Sequence, residues 1–385
     1  MSIFTKIKLY MFYFVIYGVS AIPVAFIQVF LEYLGYDVVE RGLMITSSAI
    51  VAIISQFLVG YIADKYKSDR LPFNITLIII GIATVLLFLS DSKILLFHLV
   101  TVSLLLGLFK ALNASQDAWI LGIDESCKRD FGIIRAFASL GWVFGSYLGG
   151  IILEHFAYTI VAYMYTFFTI MVLIQSKYIP EGKRSPSSNK LSLKDIKVLF
   201  QYKGYCLVLV ILLGVEIIFM SGQYTLVDKF IILGSETSMI GAYWSIQAFV
   251  ELPLFFLAPK ILNRFKDYHI ILFATVIYIF RFILYAYVQT PNLLIIITLL
   301  QCISFPLLMI VSKTLVDRFT PENMKATGQT VAMAIYIGIP SLLVPIISGI
   351  LIDMVNVDFA LFVFALSGII PIILTLYLMK TILIK

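Results

Sequence analysis

Long apolar runs separated by short polar connections recur along the whole chain. Each run approaches the roughly twenty residues that a helix needs to cross about 30 Å of hydrocarbon. The alternating segments of about ten residues that build a membrane barrel do not occur in the sequence. The pattern therefore predicts an all-α integral membrane protein with twelve transmembrane helices. They lie at residues 9–34, 42–63, 72–90, 94–122, 131–153, 156–176, 205–231, 239–262, 269–288, 292–316, 327–352 and 359–380.

Composition indicates the same class of protein. Of the 385 residues, 61% are hydrophobic and 13% are charged, whereas a soluble domain is about half apolar and about a quarter charged. Because so few charges cannot cover a water-facing surface, most of the surface must face lipid. The 15% of aromatic residues suits a protein with aromatic belts at both membrane interfaces.

Lysine and arginine are distributed unequally between the two sides of the predicted bundle. With both termini in the cytoplasm, only Arg41 and Lys93 of the 28 such residues fall in outer loops, and four fall inside spans. The other 22 lie in inner loops and termini or at the inner ends of spans, an asymmetry that sets orientation by the positive-inside rule. We therefore predict cytoplasmic termini and, from the richness in Ile, Phe, Tyr and Lys, a bacterial cytoplasmic membrane.

A polar, basic and serine-rich stretch at 177–204 divides the spans six and six. We predict an N-terminal half at 1–176 and a C-terminal half at 205–385, joined by this stretch as a cytoplasmic linker. Within the linker, 191–200 is predicted to form an interfacial helix.

An internal repeat supports the two halves. Residues 60–65 are similar to 259–264, and residues 150–154 are similar to 349–353. Both matches have the same offset of 199 residues. The predicted fold is therefore two pseudo-symmetric halves of six helices each.

Clustered chemistry of the enzymatic kind is absent from the sequence. The three cysteines form no CxxC pair, and none of the three histidines has a second ligand type at the spacing of a metal site. The cations lie in short loops without the interleaved aromatic residues of a nucleic-acid surface. We predict no metal, no cofactor and no nucleic-acid partner, and a protein that is not an enzyme.

The end of the second predicted helix carries a recognisable signature. Gly60, Asp64, Lys65 and Arg70, within the sequence GYIADKYKSDR, resemble the motif between helices 2 and 3 of the major facilitator superfamily. The resemblance implies a gating role for these residues, with Gly60 allowing close helix approach. The second glycine of the motif is Lys67 here, so we expect this turn to close differently.

The sequence from Asp130 to Arg135, followed by Gly141-Trp142, resembles helix 5 of the lactose permease and its nucleoside and oligosaccharide relatives. A carboxylate at the family's spacing, Asp117, precedes Arg135 by eighteen residues. The resemblance implies a sugar-binding pair of Asp117 and Arg135, with Trp142 as the indole against which the sugar packs. Independently, Arg135, Ser139 and Trp142 share one helical face, and such a stripe fits a polyol. The alternative is a structural ion pair beside an interface tryptophan.

The proton-coupling residues of that family are only partly present. Arg281 matches its helix 9 arginine, but the helix 10 histidine and glutamate fall on Gln301 and Ser304. We therefore predict Asp117, Arg135, Ser139, Trp142 and Gln301 as substrate-binding residues. For proton coupling we predict Glu251 paired with Arg281, together with Asp117, because ionisable residues inside spans are costly and usually functional. The alternative for Glu251 and Arg281 is again a structural ion pair.

These observations predict a monomeric secondary transporter that imports a small polar solute, a sugar, glycoside or nucleoside, with a proton gradient as energy source. An efflux transporter is the alternative, because residues 145–150 resemble the antiporter motif of drug exporters, with Ser146 in place of its proline. The glycines in this stretch are equally consistent with close helix packing. A membrane sensor without transport activity is the more remote alternative.

Overall fold

The computed structural model describes residues 3–182 and 197–381. Its main elements are twelve helices, and none of the described residues forms a strand. The helices are α1 Phe4–Tyr33, α2 Val38–Tyr66, α3 Arg70–Phe88, α4 Leu95–Ile123, α5 Glu125–His155, α6 Thr159–Ser176, α7 Lys203–Ile232, α8 Thr237–Arg264, α9 Asp267–Tyr287, α10 Pro291–Phe319, α11 Thr327–Met354 and α12 Val357–Lys380.

Eleven of these helices are long and apolar enough to cross a membrane by length and composition. The remaining helix, α8, has 28 residues and is thus about 42 Å long at 1.5 Å per residue, which is also sufficient. Several helices are interrupted: α1 at Phe26, α10 by a 3-10 segment at Leu299–Ile303, α11 at Ile337 and α12 at Gly368. The predicted all-α membrane fold with twelve helices is confirmed.

Side-chain caps fix several helix ends that the apolar pattern leaves undefined. Asp37 and Glu40 form a reciprocal capping box at the start of α2. Asp124 caps α5 by accepting the backbone N–H of Cys127 at 2.7 Å, so α5 begins at Glu125, six residues before the predicted start at 131. Hydrogen bonds from the Ser126 hydroxyl and the Cys127 N–H lower the pKa of the Asp124 carboxyl to about 2.

The described residues divide into two compact units, which we call unit 1 and unit 2. Unit 1 contains α1 to α6 together with Gly234–Phe249, the first half of α8. In unit 1, α1 packs mainly on α5, α2 on α4, and α3 on α4 and α6. A Cβ at Gly145 would overlap the carbonyl oxygen of Gly18, so the backbones of α1 and α5 are in contact there.

Unit 2 contains α7, the second half of α8, and α9 to α12. In unit 2, α7 packs on α11 and α12, and α9 packs on α10 and α12. Adding six to each helix number converts the packing pairs of unit 1 into packing pairs of unit 2. The pairs α1–α5, α3–α4 and α3–α6 become α7–α11, α9–α10 and α9–α12. The two units therefore use similar packing partners.

The internal repeat of the sequence is also visible in the backbone conformation of two turns. Gly35 follows α1 with φ +82°, and Gly234 follows α7 with φ +67°, so both have a left-handed conformation that favours glycine. Their sequence separation equals the offset of 199 residues found in the two sequence matches. The first helix of each half thus ends in the same way.

The predicted linker lies partly outside the described residues. Residues 183–196 are not described, and they include most of the interfacial helix predicted at 191–200. The predicted domain boundaries, with halves at 1–176 and 205–385, stay a prediction. The first half of α8 packs with unit 1, although its sequence position assigns it to the C-terminal half.

Large apolar side chains point outward along the helices. Phe57 on α2, Leu96 on α4, Phe167 on α6 and Ile370 on α12 are among the most exposed of them. A soluble protein does not expose apolar surface on this scale. The exposed faces are therefore suited to lipid, and the polar side chains discussed below lie among the packed helices.

Candidate functional site

A charged pair with two tyrosines forms the polar centre of unit 1. Asp117 on α4 and Arg135 on α5 are both partly buried, and their nearest oxygen and nitrogen atoms, Oδ2 and Nε, lie 3.9 Å apart. Tyr13 on α1 donates its hydroxyl to Asp117 Oδ1 at 2.8 Å. The guanidinium of Arg135 lies over the ring of Tyr17, 4.5 Å from its centroid, a cation–π arrangement.

Aromatic rings extend from this pair along unit 1. Tyr17 contacts Phe109 edge to face, and Phe109 stacks on Trp142 with a centroid distance of 6.3 Å. Trp142 in turn contacts Trp244 of α8, also at 6.3 Å and nearly perpendicular. The polar pair and the indoles therefore form one continuous surface, which we call the unit 1 cluster. It consists of Tyr13, Tyr17, Phe109, Asp117, Arg135, Trp142 and Trp244.

Two polar atoms at the unit 1 cluster lack a described hydrogen-bond partner. They are the hydroxyl of Tyr17 and the indole nitrogen of Trp244, both buried. Buried polar groups are normally hydrogen-bonded, so both are candidates for contacts to a bound solute. Ser139 is half-buried on α5, one helical turn before Trp142.

A second polar centre lies in unit 2. Arg281 on α9, 4% exposed, donates through Nη1 to Gln301 Oε1 and, at 3.4 Å, to the hydroxyl of Ser304. Gln301 Nε2 donates to Glu251 Oε1 on α8 at 2.8 Å. The guanidinium also lies 4.8 Å from the ring centroid of Tyr278. Glu251 and Arg281 are thus joined through Gln301.

This arrangement differs from the expected one. The sequence predicts that Glu251 and Arg281 pair with each other, whereas each contacts the amide of Gln301. Gln301 was predicted to bind substrate, yet it is 1% exposed and both ends of its amide contact protein groups. Its role in substrate binding stays a prediction.

The predicted gating motif is held by contacts that the sequence did not indicate. Arg70 donates to the carbonyl oxygen of Ile179 at 2.6 Å. Glu181 accepts the backbone N–H groups of Asp69 and Arg70 and the hydroxyl of Ser68, at 2.8 to 3.3 Å. A carboxylate in this position stabilises the N-terminus of α3. The first residues after α6 are therefore hydrogen-bonded to the α2–α3 turn.

Two expectations about the motif itself are wrong. Among the described residues, a Cβ at Gly60 would meet no atom within 4 Å, so Gly60 does not provide a close helix contact in this part of the chain. Lys67 adopts the left-handed conformation, with φ 50° and ψ 37°, and its N–H bonds to the carbonyl oxygen of Ala63. The turn therefore closes as it would with glycine, despite the lysine. Asp64 and Lys65 are exposed on the last turn of α2, with Lys65 near the rings of Tyr61 and Tyr66.

Sequence reasoning missed Tyr13, Tyr17 and Trp244 as members of the unit 1 cluster. Tyr13 and Tyr17 stand one helical turn apart on α1, an i, i+4 spacing that indicates a shared face. Nothing in that spacing shows which helix the face contacts. Trp244 was missed because it lies in the C-terminal half of the sequence, although it packs with unit 1.

An all-helical chain with lipid-suited faces and ionisable side chains between its helices is typical of a membrane transporter. Comparison with known sequences identifies the group. The sequence profile described as the MFS_1 like family matches residues 6–364. The chain therefore belongs to this family of major facilitator transporters. No curated protein matches the sequence at a significant level.

Solved structures of transporters share the fold. The nucleoside transporter NupG superposes with a TM-score of 0.82 at 16% sequence identity, covering 98% of this chain and 99% of that one. A bacterial homologue of the human lysosomal transporter Spinster, inward-facing and occupied, gives a TM-score of 0.74 at 12% identity, covering 99% and 97% of the two chains. A POT family transporter in complex with a thioalcohol-conjugated peptide gives 0.71 at 14% identity, covering 97% and 94%. At these identities the similarity is one of fold.

Proposed function

We propose that this transporter imports a small polar solute, a sugar, glycoside or nucleoside, by proton symport. It acts as a monomer in a bacterial cytoplasmic membrane with both termini in the cytoplasm. The observation that carries the proposal is the unit 1 cluster, in which the Asp117–Arg135 pair adjoins a continuous aromatic surface.

This combination matches the chemistry of such solutes. A guanidinium offers several N–H donors in a fixed plane and a carboxylate offers acceptors, so together they bind the hydroxyl groups of a sugar. The indole of Trp142 offers a flat surface for the apolar face of a sugar ring or for a base. A nucleoside has both features. The nucleoside transporter NupG shares the fold, which makes nucleosides the first solutes to test.

The test is uptake of labelled nucleosides and glycosides into proteoliposomes that contain the purified protein. We expect one solute class to accumulate when the lumen is more alkaline than the medium. Arg135→Ala should weaken binding about ten- to hundredfold, because charge-assisted hydrogen bonds contribute about 1.5–3 kcal/mol. The matched control is Arg129→Ala, an exposed arginine on the same helix. Wild-type affinity in Arg135→Ala would refute this site.

Proton coupling is assigned to Glu251, with Asp117 as a second carboxylate. Both lie inside helices of a membrane protein, where a charged side chain is costly and is usually part of a substrate or proton pathway. Glu251→Gln mimics the protonated carboxyl, so it should keep solute binding and exchange but lose proton-driven accumulation. The control is Glu236→Gln, between α7 and α8. If Glu251→Gln still concentrates solute under an imposed pH difference, Glu251 is not the carrier.

Efflux is the alternative, and the same vesicles distinguish it, because an exporter would accumulate solute when the gradient is reversed. Helix packing accounts for the antiporter-like stretch. Gly145 and Gly149 contact α1, and Ser146 donates to the carbonyl oxygen of Trp142 at 2.7 Å. A non-transporting sensor would bind the solute without moving it in either direction.

Orientation can be tested separately. Ser187 lies in the predicted cytoplasmic linker, outside the described residues. A cysteine introduced there should not react with a membrane-impermeant maleimide added to intact cells, but should react in inverted vesicles. The opposite result would reverse the assigned topology.

A further inference from the structure

Gln301 stands between the two charged side chains of unit 2. Its Oε1 atom accepts a hydrogen bond from Arg281, and its Nε2 atom donates to Glu251 at 2.8 Å. Arg281 and Gln301 are both nearly fully buried, and Arg281 is surrounded by the rings of Tyr278, Phe282 and Tyr285. The three polar groups thus form a short chain with the amide in the middle.

Hydrogen-bond chemistry fixes the direction of this amide. Arginine can only donate, so it must meet the amide oxygen, and the amide NH2 group is left to meet the carboxyl of Glu251. A protonated carboxyl still has a carbonyl oxygen that accepts from the same NH2 group. The amide can therefore keep its hydrogen bond to Glu251 in both protonation states of the carboxyl without a 180° flip, and it stays neutral in each.

We propose that Gln301 is a positioning residue that holds Glu251 one neutral amide away from Arg281, so that the carboxyl can take up and release a proton while the arginine stays charged. This inference rests on the proposed proton symport. Its physical basis is distance. A guanidinium in direct contact with a carboxylate strongly favours the charged form, and the interaction falls as the separation grows.

The other titratable groups near Glu251 belong to neighbouring helices. Arg281 and Tyr278 approach from α9, and both interact electrostatically with Glu251. Glu216 of α7 interacts with Tyr278 and with Tyr336 of α11. Two residues of α10 contact Arg281. They are Gln301 and Ser304, and both are neutral. Any change in pH dependence must therefore be compared with variants in which these groups are intact.

The experiment uses Gln301→Met, which has a similar volume but no amide, and Gln301→Glu, which puts a carboxylate in contact with Arg281. Both are compared with Ser304→Ala, which removes a contact of Arg281 that does not lie between the charges. Each purified protein is reconstituted with the solute found for the wild type. We measure solute counterflow between pH 5 and 9, and accumulation driven by a pH difference. A melting curve of each variant verifies the fold.

We expect both Gln301 variants to retain counterflow within about threefold and to lose at least tenfold in proton-driven accumulation. In Gln301→Met the half-maximal pH of counterflow should rise by at least one unit, because Met keeps the separation from Arg281 but the carboxylate of Glu251 loses the hydrogen bond that Gln301 donates to it. Ser304→Ala should behave like the wild type. If either Gln301 variant is unfolded, Gln301→Asn, which keeps a shorter amide, takes its place and should lose accumulation.

Three results would overturn the inference in distinguishable ways. If the wild type exchanges solute but never accumulates it under a pH difference, the proposed symport fails and this role for Gln301 with it. If the wild type accumulates solute and the folded Gln301 variants match it in both accumulation and pH profile, only the role of Gln301 is refuted. If folded Gln301 variants lose solute binding itself, the residue is a substrate ligand and not a positioning residue.

Discussion

The ammonium group of Lys229 on α7 lies 2.7 Å from a carboxylate oxygen of Asp358 at the start of α12. Lys229 is fully buried and also donates to the carbonyl oxygens of Tyr285 and Ala286, at the end of α9, at 2.5 and 3.3 Å. Gln289 donates to the second oxygen of Asp358 at 2.8 Å. Three helices of unit 2 meet at one fully bonded cation, so we interpret Lys229 as a structural group.

Asp358→Asn should be strongly destabilising, because it leaves a buried ammonium without its counter-ion. Removing one partner of a fully buried pair costs about 3–5 kcal/mol, and the loss here should lie at the low end of that range because the Asp358 side chain is 36% exposed. Lys229→Met removes the charge and keeps most of the volume, so we expect a smaller loss. Thermal unfolding in detergent measures both, with Asp353→Asn, an exposed aspartate at the end of α11, as control. The double variant should be more stable than the sum of the two losses predicts, and strict additivity would contradict the pairing.

Solute binding should be visible in the fluorescence of Trp142. The chain has three tryptophans, and Trp119 is fully buried with its indole nitrogen donating to the carbonyl oxygen of Pro180 at 2.8 Å. A bound solute at the unit 1 cluster changes the surroundings of Trp142 and Trp244 and leaves Trp119 unaffected. We expect the fluorescence change to persist in Trp119→Phe and to be largely lost when Trp142 and Trp244 are both replaced by Phe. A change that disappears only in Trp119→Phe would move the site away from the cluster.

Gly145→Ala should destabilise the protein by about 1–3 kcal/mol or prevent folding, the usual effect of overpacking. The added Cβ would overlap the carbonyl oxygen of Gly18, and two helix backbones would have to separate. Gly60→Ala is the matched control, because its Cβ would meet no atom of the described residues within 4 Å. Replacing this helical glycine should stabilise the protein by up to about 1 kcal/mol. Melting temperatures in the reverse order would contradict the packing.

Lys67→Gly should stabilise the protein by up to about 1 kcal/mol, because a non-glycine residue pays about 1–2 kcal/mol in the left-handed conformation that Lys67 adopts. The greater freedom of glycine in the unfolded chain offsets part of this gain. Lys65→Gly, two residues earlier and inside α2, should instead lower stability by about 1 kcal/mol. Chemical denaturation of the two variants under the same conditions provides the comparison.

Sequence alone determined the elements that depend on local composition. Twelve apolar runs predicted twelve helices, because the thickness of the hydrocarbon layer sets the number of apolar residues that a spanning helix needs. The shared face of Arg135 and Trp142 followed from helical periodicity, and the structure brings Arg135 close to Asp117, as predicted. The start of α5 was placed too late because a cap is a side-chain contact and leaves no trace in hydropathy.

Only the tertiary structure decided which faces meet. Tyr13 and Tyr17 join Asp117 and Arg135 because α1 packs against α5 and also contacts α4, and no periodicity reveals such partners. The same is true of Gln301, whose position between Arg281 and Glu251 depends on the rotation and depth of three helices. In a membrane nearly every helix face is apolar, so the hydrophobic pattern does not show which two faces pack together. Helix pairing is set by close packing and by buried polar contacts. Periodicity defines a face, and long-range contacts choose its neighbour.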